Sequence, residues 1–263
     1  MPVRLDDILS ATRRILPALQ GQRGELERHI QGSHVTRPSF RAALLRPTVA
    51  VIAELKRRSP SAGSIREDLD PGQRAALYAR NGAAAISVLT DGPYFGGSVQ
   101  DLKAAAEYCP LPILRKDFIL DEVQVLEARA AGASAVLLIA RVLGGARLQA
   151  LLRYSAELGL DALVEVHTAA ELGLALESDA EIVGINSRDL DTFDIDVGSA
   201  WKLLARVPGD RVAVAESGIV GQSDVARVAE AGADAVLVGT ALSASNSPEQ
   251  LLHGLSGVRR HGR

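Results

Sequence analysis

The chain has 263 residues, 47% of them hydrophobic and 23% charged, a composition typical of a globular protein with a large core. Its formal net charge of −3 provides no excess of Lys or Arg, so we expect neither a nucleic-acid partner nor an anionic membrane surface. The single cysteine, Cys109, cannot form an intrachain disulfide, which favours a reducing cytoplasm. Charged residues interrupt the N-terminal stretch, and no segment has the roughly 18 consecutive apolar residues of a membrane span.

The first segment of the chain has apolar residues at helical spacing before any strand pattern begins. These residues are Leu5, Ile8, Leu9, Ile15, Leu16 and Leu19. A single apolar stripe of this period is typical of an amphipathic helix that packs on a larger body. We therefore predict that residues 1–45 are an N-terminal helical extension packed on the remainder of the chain, not a separate domain.

After residue 48 the sequence repeats a short apolar run, a polar or Gly-bearing loop and a helical stretch. Eight such runs occur, at residues 49–53, 84–89, 112–114, 135–140, 162–166, 182–185, 212–215 and 235–238. Near-continuous apolar strands are buried on both faces, and their alternation with helices indicates a parallel sheet. The helical stretches 122–131 and 224–231 end at Gly132 and Gly232, a residue type that readily forms the left-handed turn closing a helix.

Two layouts fit such a pattern, an open doubly wound sheet and a closed barrel. The pattern Ala-Gly-Ala-x-Ala-Val-Leu occurs at residues 131–137 and again at 231–237, with a looser copy at 81–86. Eight units that share an internal signature favour the closed form. We predict an α/β fold in which residues 46–263 form a single (β/α)8 TIM barrel, the catalytic domain, preceded by the helical extension.

Polar residues end several of the apolar runs, at the face where barrels carry their chemistry. The candidate catalytic residues are Glu54, Lys56, Lys116, Glu165, Asn186 and Glu216. Any one of them could be merely the first residue of a loop or half of a structural ion pair. Burying several charges at one end of a fold costs free energy unless they form ion pairs or take part in catalysis. Their convergence therefore favours a catalytic role for the set. Lysines and glutamates together suit general acid–base catalysis on an anionic substrate.

Small residues follow the last two runs and indicate a phosphate site. Ser217 and Gly218 follow the seventh run, and Gly239 and Thr240 follow the eighth, where barrels commonly bind phosphate through backbone N–H groups. The alternative is that these glycines only form tight turns. The basic loop at 56–64, which contains Pro and Gly, suits either an ordinary solvated loop or a lid that closes on a phosphorylated substrate.

Other reaction classes lack their signatures in this chain. There is no Gly-x-Ser-x-Gly elbow of a hydrolase and no Gly-x-Gly-x-x-Gly dinucleotide turn. The histidines are scattered, and only one of them follows a predicted strand; they are His29, His34, His167, His253 and His261. We therefore predict no metal and no other cofactor.

Six segments together resemble the indole-3-glycerol phosphate synthases. They are residues 53–61, 86–91 with Tyr94 and Phe95, 114–119, 163–167, 184–190 and 215–219. The resemblance spans the whole barrel in the right order, whereas the first 45 residues match only in being helical. It implies a carboxy-lyase of tryptophan biosynthesis that converts 1-(2-carboxyphenylamino)-1-deoxyribulose 5-phosphate to indole-3-glycerol phosphate, CO2 and water.

The resemblance also implies a role for each site residue. Lys116 is the general acid at the ribulose carbonyl and Glu165 its partner in the later proton removal, while Lys56 binds the substrate's anions and is a second candidate acid. Glu54 and Asn186 orient the reacting groups, and Glu216 holds either the sugar hydroxyls or the lysines. The implied phosphate-binding residues are Ser217, Gly218, Gly239 and Thr240, with Ser59 and Arg188 nearby. The implied apolar slot for the aromatic ring consists of Phe95, Phe118, Leu137 and Leu190.

The chain departs from the family pattern in places, and other functions stay open. Ala62 stands where many relatives carry Lys, and residues 240–248 are unusually rich in Ser, Ala and Asn. The alternatives are a phosphoribosyl isomerase, a tryptophan synthase α-subunit and a non-catalytic barrel. Lys116 on the third strand argues against the isomerase, and the intact set of polar residues argues against a non-catalytic module. A monomer and an association with other tryptophan-pathway enzymes both stay open.

Overall fold

The computed structural model describes residues 3–32 and 37–262. Three helices precede the first strand: α1 (Leu5–Gly21), α2 (Arg23–Gln31) and α3 (Phe40–Leu44). The strands are β1 (Ala50–Leu55), β2 (Ala85–Leu89), β3 (Ile113–Lys116), β4 (Ala135–Ile139), β5 (Asp161–Val166), β6 (Ile182–Asn186), β7 (Val212–Glu216) and β8 (Ala235–Val238). A short antiparallel hairpin in the loop after β1 pairs Arg58–Ser59 with Gly63–Ser64.

The remaining helices follow the strands in alternation. They are α4 (Pro71–Arg80), α5 (Gly92–Phe95), α6 (Val99–Tyr108), α7 (Glu122–Ala130), α8 (Ala140–Glu157), α9 (Ala169–Glu177), α10 (Val197–Leu204), α11 (Gln222–Glu230), α12 (Thr240–Ala244) and α13 (Pro248–Leu255). Gly132 and Gly232 have φ of 93° and 96° just beyond α7 and α11, as predicted for residues that close helices. No helix in the described part of the chain is long and apolar enough to cross a bilayer.

The eight strands form a closed parallel barrel, which confirms the predicted fold class and rules out the open sheet. The closing contact runs between β1 and β8, where Ala50 pairs with Ala235 and Ala53 with Val238. Alternate side chains along each strand point into the barrel. The apolar interior includes Ile52, Leu114, Leu163 and Val214, and the residue two positions further on is Glu54, Lys116, Glu165 and Glu216, respectively. Four charged groups therefore form the uppermost interior layer.

The N-terminal helices cover both ends of this barrel. Leu5 and Ile8 of α1 line the cavity at the carboxyl ends of the strands. Phe40 of α3 is fully buried in the same apolar cluster as Ala50, at the start of β1. The loop entering α3 is fixed at the lower end because Ser39 donates a hydrogen bond of 3.0 Å to Asp161 at the start of β5. The extension thus reaches from the lower end to the mouth.

The buried face of α1 differs from the predicted stripe at one position. Ile15 is 57% exposed, and Thr12 is buried in its place. At about 100° per residue, Thr12 falls near the centre of the stripe and Ile15 at its edge. The Thr12 hydroxyl is satisfied inside the helix, where it donates to the carbonyl of Ile8 at 3.1 Å.

Candidate active site

One cavity of about 390 Å³ lies at the carboxyl ends of the strands. Every site residue predicted from the sequence lines it: Glu54, Lys56, Ser59, Phe95, Lys116, Phe118, Leu137, Glu165, Asn186, Arg188, Leu190, Glu216, Ser217, Gly218, Gly239 and Thr240. These residues come from all eight strand-to-helix connections or from the strands that lead into them. The structure therefore brings the whole predicted set to one place.

Lys116 lies between two buried carboxylates. Its Nζ donates to Glu216 Oε2 at 2.9 Å and to Glu165 Oε2 at 3.2 Å. Burial alone would lower the pKa of Lys116, but Glu216, Glu165 and Glu54 outweigh it and raise that pKa well above the ordinary lysine value. Lys116 is accordingly a firmly held cation.

The two carboxylates on Lys116 have opposite pKa shifts. Burial raises the pKa of Glu216 to about 7, with Lys116 opposing the shift and Glu165 adding to it. Burial also acts on Glu165, but Lys116 and His167 outweigh it and lower the pKa of that carboxyl. Environments that separate the pKa values of two neighbouring acids commonly separate their roles as proton donor and base.

Lys56 occupies a different environment at the same mouth. Its Nζ lies 3.7 Å from Glu54 Oε1, the nearest anionic partner. Burial lowers the pKa of Lys56, and Lys116 and Arg188 add to that effect while Glu54 opposes it. Lys56 therefore gives up its proton more readily than an ordinary lysine, and Lys116 less readily.

Asn186 is oriented by hydrogen bonds to its carbonyl oxygen. Ser217 Oγ donates to Asn186 Oδ1 at 2.9 Å, and the Arg188 backbone N–H donates to the same atom at 3.0 Å. With Oδ1 engaged on one side, the amide NH2 is left for Glu165, and this contact contributes to the lowered pKa of that carboxyl. The guanidinium of Arg188 is fixed by the carbonyl of Phe193 at 2.8 Å and by Ser61 at 3.2 Å.

The two glycine-bearing turns have backbone geometry suited to an oxyanion, but the glycines are required for other reasons as well. Ser217 and Gly218 have φ of 64° and 74°, and the N–H groups of Gly218 and Ile219 have no backbone acceptor among the described residues. A Cβ at Gly218 would lie 2.6 Å from Val197 Cγ1, and one at Gly239 would collide with the Glu54 carboxylate. The first carbon added at either position would therefore meet protein atoms, so local packing also requires glycine there.

The loop after β1 directs its two arginines away from the cavity. Arg57 binds the carboxylate of Asp101 with both terminal nitrogens, and Arg58 donates to the carbonyl of Gly92 at 2.8 Å. Lys56, Ser59 and Ala62 face the cavity. The positive charge of this loop is thus partly structural, as the plain-loop interpretation expects, while its polar tip borders the site.

Comparison with known sequences identifies the family. The sequence model of indole-3-glycerol phosphate synthase matches residues 5–255. The chain belongs to the indole-3-glycerol phosphate synthase family. This confirms the predicted family and, with it, the predicted carboxy-lyase activity in tryptophan biosynthesis on a phosphorylated small molecule.

Individual relatives agree with this assignment. An indole-3-glycerol phosphate synthase of Nocardioides sp. is 51% identical over 84% of this chain and 84% of its own length. Indole-3-glycerol phosphate synthase 2 of Streptomyces coelicolor is 49% identical over 83% of this chain and 84% of its own length. The enzyme of Leptospira interrogans is 51% identical over 77% and 80%, respectively.

Solved structures that resemble the chain share its fold. A mutant tryptophan synthase α-subunit from Pyrococcus furiosus superimposes with a TM-score of 0.60 at 16% identity, covering 80% of this chain and 98% of that one. A thiamine phosphate pyrophosphorylase from the same organism gives a TM-score of 0.57 at 17% identity, over 81% and 95%. At these identities the likeness concerns the TIM barrel and gives no support to the α-subunit alternative.

Several residues that line the cavity were not predicted as site residues from the sequence. Leu5 and Ile8 come from α1, and Phe193 and Ile195 come from the loop after β6. They extend the apolar slot that contains Phe95 and Phe118, whose ring centroids are 6.2 Å apart. The apolar stripe of α1 predicted that Leu5 and Ile8 are buried, but it did not predict which surface they contact. The predicted metal-free character stays a prediction, and His34 lies outside the described residues.

Buried Arg115, beside Lys116, was also missed. Its guanidinium binds Asp117 at 2.9 Å, Glu127 at 2.8 Å and the hydroxyl of Thr90 at 3.1 Å. The Arg115 side chain is only 2% exposed, so its guanidinium is enclosed by these partners. Because Arg115 and Asp117 flank Lys116, the network fixes the end of β3 from which Lys116 projects. An Arg directly after the apolar Ile113 and Leu114 was the available signal.

Proposed function

We propose that this cavity converts 1-(2-carboxyphenylamino)-1-deoxyribulose 5-phosphate to indole-3-glycerol phosphate with the residues named above. The observation that carries the proposal is a lysine held between Glu165 and Glu216, two carboxylates with opposite pKa shifts, beside an aromatic-lined slot. A carbonyl addition followed by a dehydration needs a proton donor and a proton acceptor, and this cluster contains both.

Substrate binding divides the cavity into a polar and an apolar half. The phosphate group is bound by backbone N–H groups at Ser217, Gly218, Gly239 and Thr240, with Ser59 and Arg188 on the lid side. The anthranilate ring enters the slot formed by Phe95, Phe118, Leu137 and Leu190. This orientation places the ribulose carbonyl between the slot and the turns, over the charged layer of the barrel.

Ring closure begins at the carbonyl. Lys116 donates a proton to the carbonyl oxygen as the carboxylate-bearing ring carbon attacks the carbonyl carbon, which forms a carbon–carbon bond and leaves a cation delocalised to the ring nitrogen. The carboxylate then departs as CO2, and its bonding electrons restore the aromatic ring. The apolar slot favours this step because it lowers the charge on the bound molecule.

Dehydration completes the indole. The new hydroxyl leaves as water with a second proton from a lysine, and Glu165 removes a proton from the adjacent CH2 group, so that the reaction takes up one proton overall. Glu165 is suited to this role because its pKa is lowered and it is ionised at neutral pH. Lys56 binds the substrate's anions and is the alternative proton donor for this step.

The other polar residues hold these groups in place. Glu54 pairs with Lys56 at 3.7 Å, and Asn186 faces the reacting carboxylate and hydroxyl. The 2.9 Å contact of Glu216 with Lys116 favours the lysine as its partner over the sugar hydroxyls. Residues 1–45 act as an extension of the barrel 46–263 because α1 contributes Leu5 and Ile8 to the slot.

The amino-acid composition supports a proposal for the location and the partners of the enzyme. We place it in the cytoplasm, since its only cysteine is a buried free thiol, and we expect no nucleic-acid or membrane partner. A monomer suffices for this site because one chain supplies all the residues that line it.

The test is to add the carboxyphenylamino-ribulose phosphate to purified protein and follow the appearance of indole fluorescence. We expect turnover without added metal or nucleotide, at a rate unchanged after treatment with EDTA. No product, or activity lost with EDTA and restored by a divalent metal, would contradict the proposal.

A further inference from the structure

His167 follows β5 and lies behind the proposed base. It is two residues beyond Glu165, so the alternation of the strand places both side chains on the same side of the backbone. Its side chain is 8% exposed, yet it does not line the cavity. His167 therefore does not reach a bound substrate, and any effect it has on the reaction passes through Glu165.

The imidazole bridges two carboxylates. Nδ1 lies 3.3 Å from Glu171 Oε2, which also accepts the backbone N–H of His167 at 2.7 Å. Nε2 lies 3.6 Å from Glu165 Oε1 and has no hydrogen-bond partner within residues 3–32 and 37–262. Lys116 occupies the other oxygen, Oε2, of Glu165. The two oxygens of Glu165 thus face two different cations.

The charges around His167 favour its protonated form. Burial lowers the pKa of the imidazole, but the hydrogen bond with Glu171 and the charges of Glu165, Glu171 and Glu216 outweigh it and raise that pKa. Arg141 of α8 acts on Glu171 and helps to keep it ionised. The charged groups that face this imidazole from β5, β7 and α9 are therefore all carboxylates.

We propose that protonated His167, anchored by Glu171, is a positioning residue that holds Glu165 ionised and correctly turned for proton removal. This inference rests on the proposed function. Its physical reason is the sequence of proton transfers. Once Lys116 has given its proton to the substrate, it is neutral and no longer compensates Glu165, so a second cation at Oε1 is needed to keep that carboxyl a base. The 3.6 Å separation allows the contact to shorten in the complex.

The test compares His167→Gln, which removes the charge but keeps an amide near the position of Nε2, with Glu171→Gln, which leaves the imidazole but removes its anchor. The matched control is Glu177→Gln, an exposed carboxylate on the same helix as Glu171. For each protein we would measure kcat and KM from pH 3 to 9, the melting temperature, and the NMR titration of the His167 ring protons.

In His167→Gln we expect kcat to fall about tenfold at neutral pH with KM little changed, since part of the contribution of the base is lost. The acidic limb of the kcat profile should move to higher pH because Glu165 is easier to protonate without the cation. In Glu171→Gln the His167 titration should move to lower pH, and the acidic limb should move to higher pH, as in His167→Gln. Glu177→Gln should match the wild type.

An acidic limb unchanged in folded His167→Gln, or an NMR titration of His167 that does not respond to Glu171→Gln, would overturn the positioning role. A melting temperature lowered in His167→Gln without a change in the limb would show a structural role only and overturn it as well. Wild-type protein that forms no indole product would instead overturn the proposed function. The NMR titration needs no turnover, so the two failures are distinguishable.

Discussion

Lys56 and Lys116 project into one mouth from neighbouring parts of the barrel, yet their protonation behaviour is opposite. Burial lowers the pKa of both side chains, and the carboxylates within reach decide the net direction. Lys116 contacts Glu165 and Glu216 at 3.2 and 2.9 Å, whereas Lys56 has Glu54 at 3.7 Å and a positively charged neighbour in Arg188. Residue type and position in the barrel therefore do not set the chemistry of a lysine; the count of adjacent carboxylates does.

This difference constrains when each lysine can donate a proton. A general acid works best when its pKa lies near the working pH. Burial shifts the pKa of Lys56 in that direction, whereas the pKa of Lys116 falls only when the substrate draws Glu165 or Glu216 away from it. The substrate's own groups are thus part of the activation of Lys116.

The largest effect is expected for Lys116→Met. Met keeps the length and apolar stem of the lysine but has no transferable proton. General acid catalysis typically contributes ~100- to 10,000-fold, so kcat should fall within or beyond that range while KM moves much less. Steady-state kinetics with the carboxyphenylamino-ribulose phosphate would measure both constants.

The thermal stability of Lys116→Met must be measured on the same sample as its kinetics. The variant leaves the buried carboxylates of Glu165 and Glu216 without their cation, and breaking a buried ion pair commonly destabilises a protein by several kcal/mol. Melting curves give the folded fraction, and kcat is then expressed per folded molecule. A near-normal kcat, or a loss that only follows unfolding, would move the acid role to Lys56.

A smaller effect, and a sharper test of the comparison, is expected for Lys56→Arg. Arginine keeps the charge that binds anions but cannot donate its proton in this pH range, so activity at pH 7 should fall about tenfold. Because the pKa of Lys56 is lowered, the alkaline limb of kcat/KM in the wild type should lie below the ~10.4 of an ordinary lysine. We expect that limb to move to higher pH in Lys56→Arg. A limb that stays in place would assign it to another group.

Gly184 in β6 and Gly239 directly after β8 make room for the carboxylates that distinguish the lysines. A Cβ at Gly184 would collide with the Glu216 carboxylate, beside Lys116, and one at Gly239 would collide with Glu54, beside Lys56. We expect Gly184→Ala to destabilise the fold by about 1–3 kcal/mol through overpacking and to disturb the protonation of Lys116. Gly239→Ala should act on Lys56 instead.

The matched control is Gly173→Ala, since Gly173 lies inside α9 with no atom within 4 Å of an added Cβ. Alanine should stabilise this helix by ~0.5–1 kcal/mol because it costs less backbone entropy. Denaturant unfolding of the three variants would measure these differences. Equal stability of Gly184→Ala and Gly173→Ala would show that the Glu216 carboxylate moves aside without cost.

The polar residues at the ends of the apolar runs were sufficient to predict which residues reach the mouth, and the structure places Glu54, Lys116, Glu165 and Glu216 two positions beyond interior apolar residues. The sequence pattern could not predict their pKa values, which depend on distances between strands far apart in sequence. The packing of Leu5 and Ile8 against the barrel could not be predicted either, because it also depends on contacts between residues far apart in sequence. An apolar stripe reports that a helix face is buried, but not against which surface.

The last effect needs no turnover and concerns the two carboxylates that hold Lys116. Glu216 has a folded-state pKa of about 7, raised from 4.5 by burial, so its protonated form stabilises the folded state below pH 4.5 and that contribution is lost as pH rises to 7. The free energy of unfolding of the wild type, relative to Glu216→Gln, should therefore decrease by about 2–3 kcal/mol between pH 4.5 and 7. Glu165 is the control, because its pKa is lowered and its contribution changes only below its ordinary value. The difference between the wild type and Glu165→Gln should thus be flat over the same range. Urea unfolding at several pH values measures both slopes, and a flat difference for Glu216→Gln would mean that Lys116 compensates Glu216 as fully as it does Glu165.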